Sequence, residues 1–421
     1  MKHLIAVLIL VGWTTSCQAQ QTEGLVIANV NIVDVDKGLI IPEQTVIIRG
    51  DSIAQITSAN TEIEHDFPVI DGSGKFLIPG LIDSHVHTTA GPPNVLLGQL
   101  ENTLKSGVTM VRDMGGDAVV IKEWQQNDDL EIPSIYSSAI FAGKSWIDND
   151  RRSQMSSHRT IPGTTAWLRT IDAQEKIDEY LDEAKAFGLN GIKVYADLTA
   201  DMLKQITTKA KEKGLPVYAH ATVYPATPLE VINSGVISVS HSERLLTVLD
   251  EKVAATYHAD EDNTRTYTVQ GLNDPRVTAL MSAMHQNNVA LDATLLVSRM
   301  RSNRFGAYHR TRLKTIYELT QMAYEAGVTI LAGTDFMIGR EADMANLHEE
   351  LVLLVEEVGM TPIDALKAAT INPAKVFDLK DYGEVKAGKM ADLVLLHGNP
   401  LDEIEHTKEV FLVIKQGKPL D

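Results

Sequence analysis

Two histidines one residue apart, His85-Val86-His87, follow the apolar run Leu77-Ile78-Pro79-Gly80-Leu81-Ile82-Asp83-Ser84. On an extended strand, residues i and i+2 project to the same face, so the two imidazoles converge on one point. Neutral imidazole is a good ligand for Zn²⁺ and similar cations. The pair alone is weak evidence; its place at the end of a buried strand gives it weight. Four further residues fall in equivalent places. Lys193 lies within Gly191-Ile192-Lys193-Val194-Tyr195, His220 ends Leu215–Ala219, His241 ends Val236–Ser240, and Asp335 follows Ile330-Leu331-Ala332-Gly333-Thr334. Parallel barrels carry their catalytic groups at such strand ends. Each residue has an ordinary alternative: a strand-end His is commonly a satisfied core residue, and an Asp before a helix is commonly an N-cap. Lys193 is harder to explain that way, because an unpaired ammonium in an apolar strand is costly. Carboxylated by CO₂, it would become an anion able to bridge two cations. Six such residues at the ends of strands 1, 1, 4, 5, 6 and 8 point to one site.

The elements that must position them are legible from periodicity. Candidate strands are Leu77–Ile82, Thr109–Arg112, Ile135–Ile140, Gly191–Tyr195, Val217–Ala219, Ile237–Ser240, Ala290–Asp292 and Thr329–Ala332. Helical periodicity follows most of them, clearest over Ala173–Phe187 and Thr199–Lys213, with Leu347–Val358 and Pro362–Ala369 also helical. Eight strand–helix steps predict an α/β fold, a (β/α)₈ TIM-like barrel. A doubly wound sheet is the alternative, but no Gly-rich phosphate loop supports it. Short strand-like segments at both ends (Leu25–Val33, Gln44–Ile56, Asp392–Leu396 and Val410–Lys415) predict a small β-sandwich domain that the barrel interrupts. The expected division is 20–78 with 381–421 for the β domain and 79–380 for the barrel. Two stretches fit no strand–helix step, Lys144–Ala166 and Leu245–Pro275. Long insertions of this kind sit over the active face of a barrel or form solvated loops.

Composition sets the remaining bounds. The chain of 421 residues is 44% hydrophobic and 22% charged, enough for a full core. A net charge of −18 repels phosphate backbones and argues against nucleic-acid binding. Residues 1–19 read as a signal peptide: a basic start, an apolar run from Leu4 to Trp13 too short to span a bilayer, then small residues. Cleavage after Ala19 would release a periplasmic or secreted protein; cleavage before Cys17 would leave a lipid anchor on it. Cys17 is the only cysteine, so the mature chain forms no internal disulfide and has no cysteine nucleophile.

The motifs together resemble the amidohydrolase superfamily, in its imidazolonepropionase-like and Xaa-Pro dipeptidase (prolidase)-like branch. The resemblance covers nearly the whole mature chain. It rests on Pro79–His87, on Ala332-Gly333-Thr334-Asp335, on Met360–Ala374 and on Gly388-Lys389-Met390-Ala391-Asp392-Leu393-Val394. It implies that His85, His87 and Asp335 hold the more buried metal and that His220 and His241 hold a second. Carboxylated Lys193 would bridge the two, both Zn²⁺ or another divalent ion. A mononuclear variant would use His85, His87, His220 and Asp335 and leave His241 to the substrate. The chain departs from the branch at Ala196-Asp197-Leu198-Thr199, where many prolidase-like members are Gly-rich.

The implied activity is metal-dependent hydrolysis: activated hydroxide attacks an amide or peptide C–N bond, and Asp335 passes the proton to the leaving nitrogen. The expected substrate is an Xaa-Pro or other dipeptide, or an N-acyl amino acid. Alternatives are a hydrolase or deaminase of a cyclic substrate, imidazolone-like or lactone-like, and a noncatalytic binding barrel. Candidate substrate contacts are Tyr195 and Tyr224, as hydrogen-bond donors, and Arg299, Arg301 and Arg304, as carboxylate clamps. His309 shares the arginines' segment, and His348 opens the helix after strand 8 as a residue behind the site or on the surface. A homo-oligomer is expected.

Overall fold

The computed structural model describes residues 24–59, 66–259, 267–305, 307–338 and 344–420, apart from the side chains of 304, 305 and 307–311. The leader segment and Cys17 lie outside the described residues.

Five strands precede the barrel: β1 (Gly24–Asp34), β2 (Leu39–Arg49), β3 (Ser52–Ser58), β4 (Val69–Asp71) and β5 (Phe76–Pro79). The central region holds β6 (Leu81–Val86), β7 (Val108–Asp113), β8 (Ser134–Ala142), the short pair β9 (Thr164–Thr165) and β10 (Leu168–Thr170), then β11 (Gly191–Val194), β12 (Val217–His220), β13 (Ser238–Ser240), β14 (Ala290–Asp292) and β15 (Ile330–Leu331). The chain ends with β16 (Leu393–Leu396), β17 (Val410–Lys415) and β18 (Lys418–Pro419).

Strands β6, β7, β8, β11, β12, β13, β14 and β15 pair in that order, all parallel. The ring is drawn together by Ser84 N donating to Ala332 O at 2.9 Å and Asp335 N donating to His85 O at 2.8 Å. This is the expected (β/α)₈ barrel. Its strands are covered on the outside by helices and filled on the inside, so they read as near-continuous apolar runs. The helices begin and end where their signals lie. Thr199 caps Ala200–Glu212 by accepting from Met202 N at 3.3 Å, and Gly188, at φ 100°, ends Ile177–Phe187. No helix of the described residues is long and apolar enough to cross a membrane.

A second, curled sheet runs β18-β17-β16-β5-β1-β2-β3, with β4 also on β1. Its own core alternates along the strands: Leu25, Ile27, Val30 and Ile32 of β1 meet Val46, Ile48, Leu77, Leu393, Leu395 and Ile414. A bulge between Ile27 and Val30 keeps the inward set in phase.

One expected element divides in two. The run Leu77–Ile82 is not a single strand: β5 belongs to the second sheet and β6 to the barrel, and Gly80 is the crossing point. Its N–H donates to Asp392 O at 2.8 Å, and a Cβ there would fall 2.1 Å from Thr109 Oγ1. The barrel strand therefore runs on through His85, which sits within β6 rather than after it. The insertion Lys144–Ala166 is also not an open loop. It folds as helices Lys144–Asn149 and Arg151–Met155, and buried Trp146 packs on Tyr195 with ring centroids 4.6 Å apart.

Candidate metal centre

Among the described residues, His85, His87 and Asp335 bring one donor atom each to within 4.8 Å of one another. Asp335 Oδ1 lies 3.2 Å from His87 Nε2 and 3.4 Å from His85 Nε2. The strand period explains the two histidines, and a close crossing explains the aspartate. Gly333 lets the β15 loop pass over β6, since a Cβ on it would lie 2.3 Å from Asp292 Oδ1 and 2.7 Å from His85 Cβ. Thr334 is tied to the same strand by donating its N–H and hydroxyl to Asp83 at 3.1 and 2.7 Å. Burial pushes Asp83 up to about 7 despite these donors.

His85 is oriented from behind. Its Nδ1 lies 2.6 Å from Asp292 Oδ2, and a carboxylate only accepts, so the proton sits on Nδ1 and Nε2 keeps its lone pair. Asp292 Oδ2 also accepts from Ser240 Oγ at 3.1 Å and from Arg112 Nη2 at 3.2 Å. Arg112 is fully buried between the rings of Tyr218 and Phe377, 4.5 and 4.3 Å from their centroids.

The other candidates close the mouth. The His241 ring lies 4.9 Å from that of His85 and 5.1 Å from that of His220. His241 Nδ1 is 2.8 Å from Thr294 Oγ1. Lys193 is fully buried, and its Nζ donates to Ser240 Oγ at 2.8 Å. Burial holds His85 below its ordinary value against the opposing pull of Asp292, and, reinforced by neighbouring cations, it holds His220, His241 and Lys193 well below theirs. The imidazoles are therefore neutral and ligand-competent. Three residues here adopt the left-handed region, His241 at φ 71°, Asp335 at 58° and Thr294 at 50°, as strained backbone at functional sites commonly does.

These residues suit a divalent cation. Buried His85 Nε2 and His220 Nδ1 have no hydrogen-bond partner among the described residues, although each is a polar atom that burial should pair. A cation beside each would satisfy it.

The proposed substrate contacts separate. Tyr195 Oη lies 3.4 Å from His87 Nε2, and its ring packs edge-on against His220 at 4.7 Å. Tyr224 is buried at the same mouth, T-shaped to Tyr257 at 6.0 Å. Arg301 donates to Glu243 at 2.8 Å and stands 3.9 Å from Asp335 Oδ2. Arg299 instead pairs with Glu349 at 3.0 Å. The side chains of Arg304 and His309 lie outside the described ones. His348 is neither behind the site nor on the surface. It is buried between Ser106 O and Thr407 Oγ1, and burial lowers it to about 4.

Sequence reasoning missed Asp292, Arg112, Arg152, Arg244 and Tyr257. Asp292 carried the same signal as the others, an ionisable residue ending a candidate strand, and that rule applied to strand 7 finds it. Arg112 carried it too, as the last residue of the candidate strand Thr109–Arg112, whereas Arg152, Arg244 and Tyr257 announce themselves only in three dimensions.

Comparison with known proteins bears on the fold and the family. The chain is 21% identical over 363 residues to an adenine deaminase of Lactobacillus delbrueckii subsp. bulgaricus, covering 83% of this chain and 51% of that one, so it spans about half of that relative's length. It is 22% identical over 413 residues to an imidazolonepropionase of Alkaliphilus metalliredigens, covering 90% of each. A solved Xaa-Pro dipeptidase with methionine bound in its active site superposes with a TM-score of 0.73 at 20% identity, over 95% of this chain and all of that one (100%). Residues 76–420 match the profile of the amidohydrolase family from β5 to β18, and the chain belongs to that family.

Proposed function

We propose that this protein hydrolyses the amide-like C–N bond of a small substrate, an Xaa-Pro or other dipeptide or an N-acyl amino acid. The observation that carries the reading is the meeting of His85, His87 and Asp335, with buried ring nitrogens of His85 and His220 left without a partner among the described residues. We assign His85, His87 and Asp335 to one zinc ion and His220 and His241 to a second, with Lys193 as the carboxylated bridge. Zinc held there would supply Lewis-acid chemistry, polarising a carbonyl and lowering the pKa of water.

The chain's own groups do the rest. Asp335, reaching His87 and His85 with Oδ1, is placed to take a proton from water and return it to the leaving nitrogen, without which an amine leaves poorly. Asp292 fixes the His85 tautomer. The Tyr195 hydroxyl donates to the carbonyl oxygen as negative charge develops there. Trp146 and Tyr257 close the walls and exclude bulk water. We further place the protein in the periplasm or outside the cell, on the strength of segment 1–19.

A second reading, hydrolysis or deamination of a cyclic substrate, draws on the full-length likeness to an imidazolonepropionase. The test is a zinc-reconstituted preparation assayed against dipeptides and N-acyl amino acids on one side, and lactones, imidazolones and aminopurines on the other. Turnover confined to the first group supports the proposal, and turnover confined to the second favours the cyclic reading. A protein that binds no transition metal and turns over nothing is a binding barrel.

A further inference from the structure

We propose that Arg244 anchors a carboxylate of the substrate, in a subsite walled by Tyr257 and Arg152. The inference rests on the amide-hydrolase reading and names the side chain that would hold the carboxylate its substrates carry beside the scissile bond.

The charge balance points there first. The chain carries a net charge of −18, yet Arg152, Arg244, Arg301 and Arg312 gather around the barrel mouth. Two of them are ion-paired. Arg152 pairs with both oxygens of Asp150, at 2.8 and 2.6 Å. Arg301 pairs with Glu243. Arg312 packs over Tyr267, 5.2 Å from its centroid, beside the same Glu243, and its buried Nε has no partner among the described residues, but it stands away from the aromatic neighbours of the metal-ligand histidines. Arg244 makes no ion pair among the described residues. Its Nη2 donates to Tyr257 Oη at 3.0 Å, and its buried Nε has no partner.

Geometry then places this charge against the metal ligands. The Arg244 guanidinium lies over Tyr257, 4.8 Å from the ring centroid, and the Tyr257 ring lies nearly parallel to His220 at 6.4 Å. Arg152 Nη2 reaches the same phenol oxygen at 3.1 Å. The two guanidiniums converge on one phenol oxygen, whose pKa Arg244 and then Arg152 hold below its ordinary value against burial, and they repel each other while Asp150 pairs with only one of them. An anion lodged beside them removes the repulsion and fills the open Nε donor. The Nε–Nη edge of arginine matches the two oxygens of a carboxylate.

The stem of Arg244 is held for this. It follows His241 by three residues, so it shares the ligands' end of the barrel, and the hydroxyls of Thr222 and Thr247 both donate to its carbonyl, at 2.8 and 2.9 Å. Arginine cannot shed its proton in this pH range, so the site stays cationic. The chemistry it selects is a carboxylate one residue from the bond that breaks, as at the C-terminus of a dipeptide or of an N-acyl amino acid.

The experiment uses the zinc-reconstituted full chain and N-acetyl derivatives of L-proline, L-leucine and L-phenylalanine, each paired with its α-carboxamide. Hydrolysis is followed by liquid chromatography and binding by calorimetry. For at least one pair, the wild type should favour the carboxylate by about 100-fold in kcat/KM and in affinity. Arg244→Met should bring both ratios below about 5, mostly through KM, and Arg244→Lys, which keeps the charge but not the fork, should fall between. Circular dichroism and bound zinc establish that each variant is folded. A wild type that binds both members of every pair alike, or neither, overturns the subsite, as does an Arg244→Met protein that keeps the preference. Selective binding without hydrolysis, lost in Arg244→Met, upholds the subsite and sinks the amide-hydrolase reading. Hydrolysis without a carboxylate preference does the reverse.

Discussion

Asp292→Asn tests how the centre is held, because it changes one charge and almost no volume. Asp292 Oδ2 receives His85 Nδ1, Ser240 Oγ and Arg112 Nη2 at 2.6, 3.1 and 3.2 Å, in a place with no solvent exposure. Arg112 has no other ion-pair partner among the described residues. Neutralising Asp292 strands a buried guanidinium, a loss of ~3–5 kcal/mol when one partner of a buried pair is removed. Stacking on Tyr218 and Phe377 survives and keeps the loss near the lower bound, about 3 kcal/mol. The same change frees the His85 tautomer, which should weaken zinc binding by roughly 10–100-fold. Urea unfolding of the metal-free protein reads the first quantity, and chelator competition reads the second. Arg112→Met in the Asp292→Asn background should recover about 2 kcal/mol, because it removes the stranded charge. The reasoning is refuted if Asn costs under about 1 kcal/mol with wild-type zinc affinity, or if the double variant is simply additive.

Other expectations follow from the same geometry. Lys193→Met should lower turnover by at least about 100-fold and take bound zinc from two equivalents to one; unchanged turnover with two zinc ions excludes the bridge. Asp335→Asn should cut kcat by about 10²–10⁴-fold in single-turnover assays, and a rate near wild type would assign the proton to another group. Glu350 accepts from Leu295 N and Leu296 N at 2.8 and 2.7 Å, and burial raises it from 4.5 to about 8. The folded state then binds its proton more tightly than the unfolded state, so its contribution is fullest below pH 4.5 and is lost as the pH rises to 8. That loss amounts to as much as roughly 4 kcal/mol. Glu350→Gln should flatten the slope of urea midpoint against pH across this window, and parallel slopes in the two proteins would contradict it.

The barrel was legible because its strands are buried on both faces and spell apolar runs, and because ligands at strand ends interrupt those runs at fixed places. His85 and His87 needed only the two-residue period. The second sheet was legible from alternation, but its junction with the barrel was not: Leu77–Ile82 is apolar throughout, and only the Thr109 contact shows why Gly80 must switch sheets. Arg299 had the composition of a carboxylate clamp, yet Glu349, on a helix fifty positions later, takes it. Arg152, Arg244 and Tyr257 come from three segments with no shared motif, so their convergence on one oxygen is a fact of tertiary packing alone. The sequence pattern located the histidines, the lysine and the aspartate that meet at the barrel mouth, and left the wall around them unread.

The pairing of β5 with β1 on one side and β16 on the other has a consequence for biogenesis. All six residues proposed as metal ligands have been synthesised once Asp335 is made, but Phe76–Pro79 then still has a bare edge, because its neighbour Leu393–Leu396 is yet to come. A chain interrupted in between would own every proposed ligand on an unsealed scaffold, with an apolar strand free to recruit another chain. The late arrival of β16 thus works as a completion signal: nonsense products lacking it should partition to aggregates or proteolysis rather than persist as active fragments.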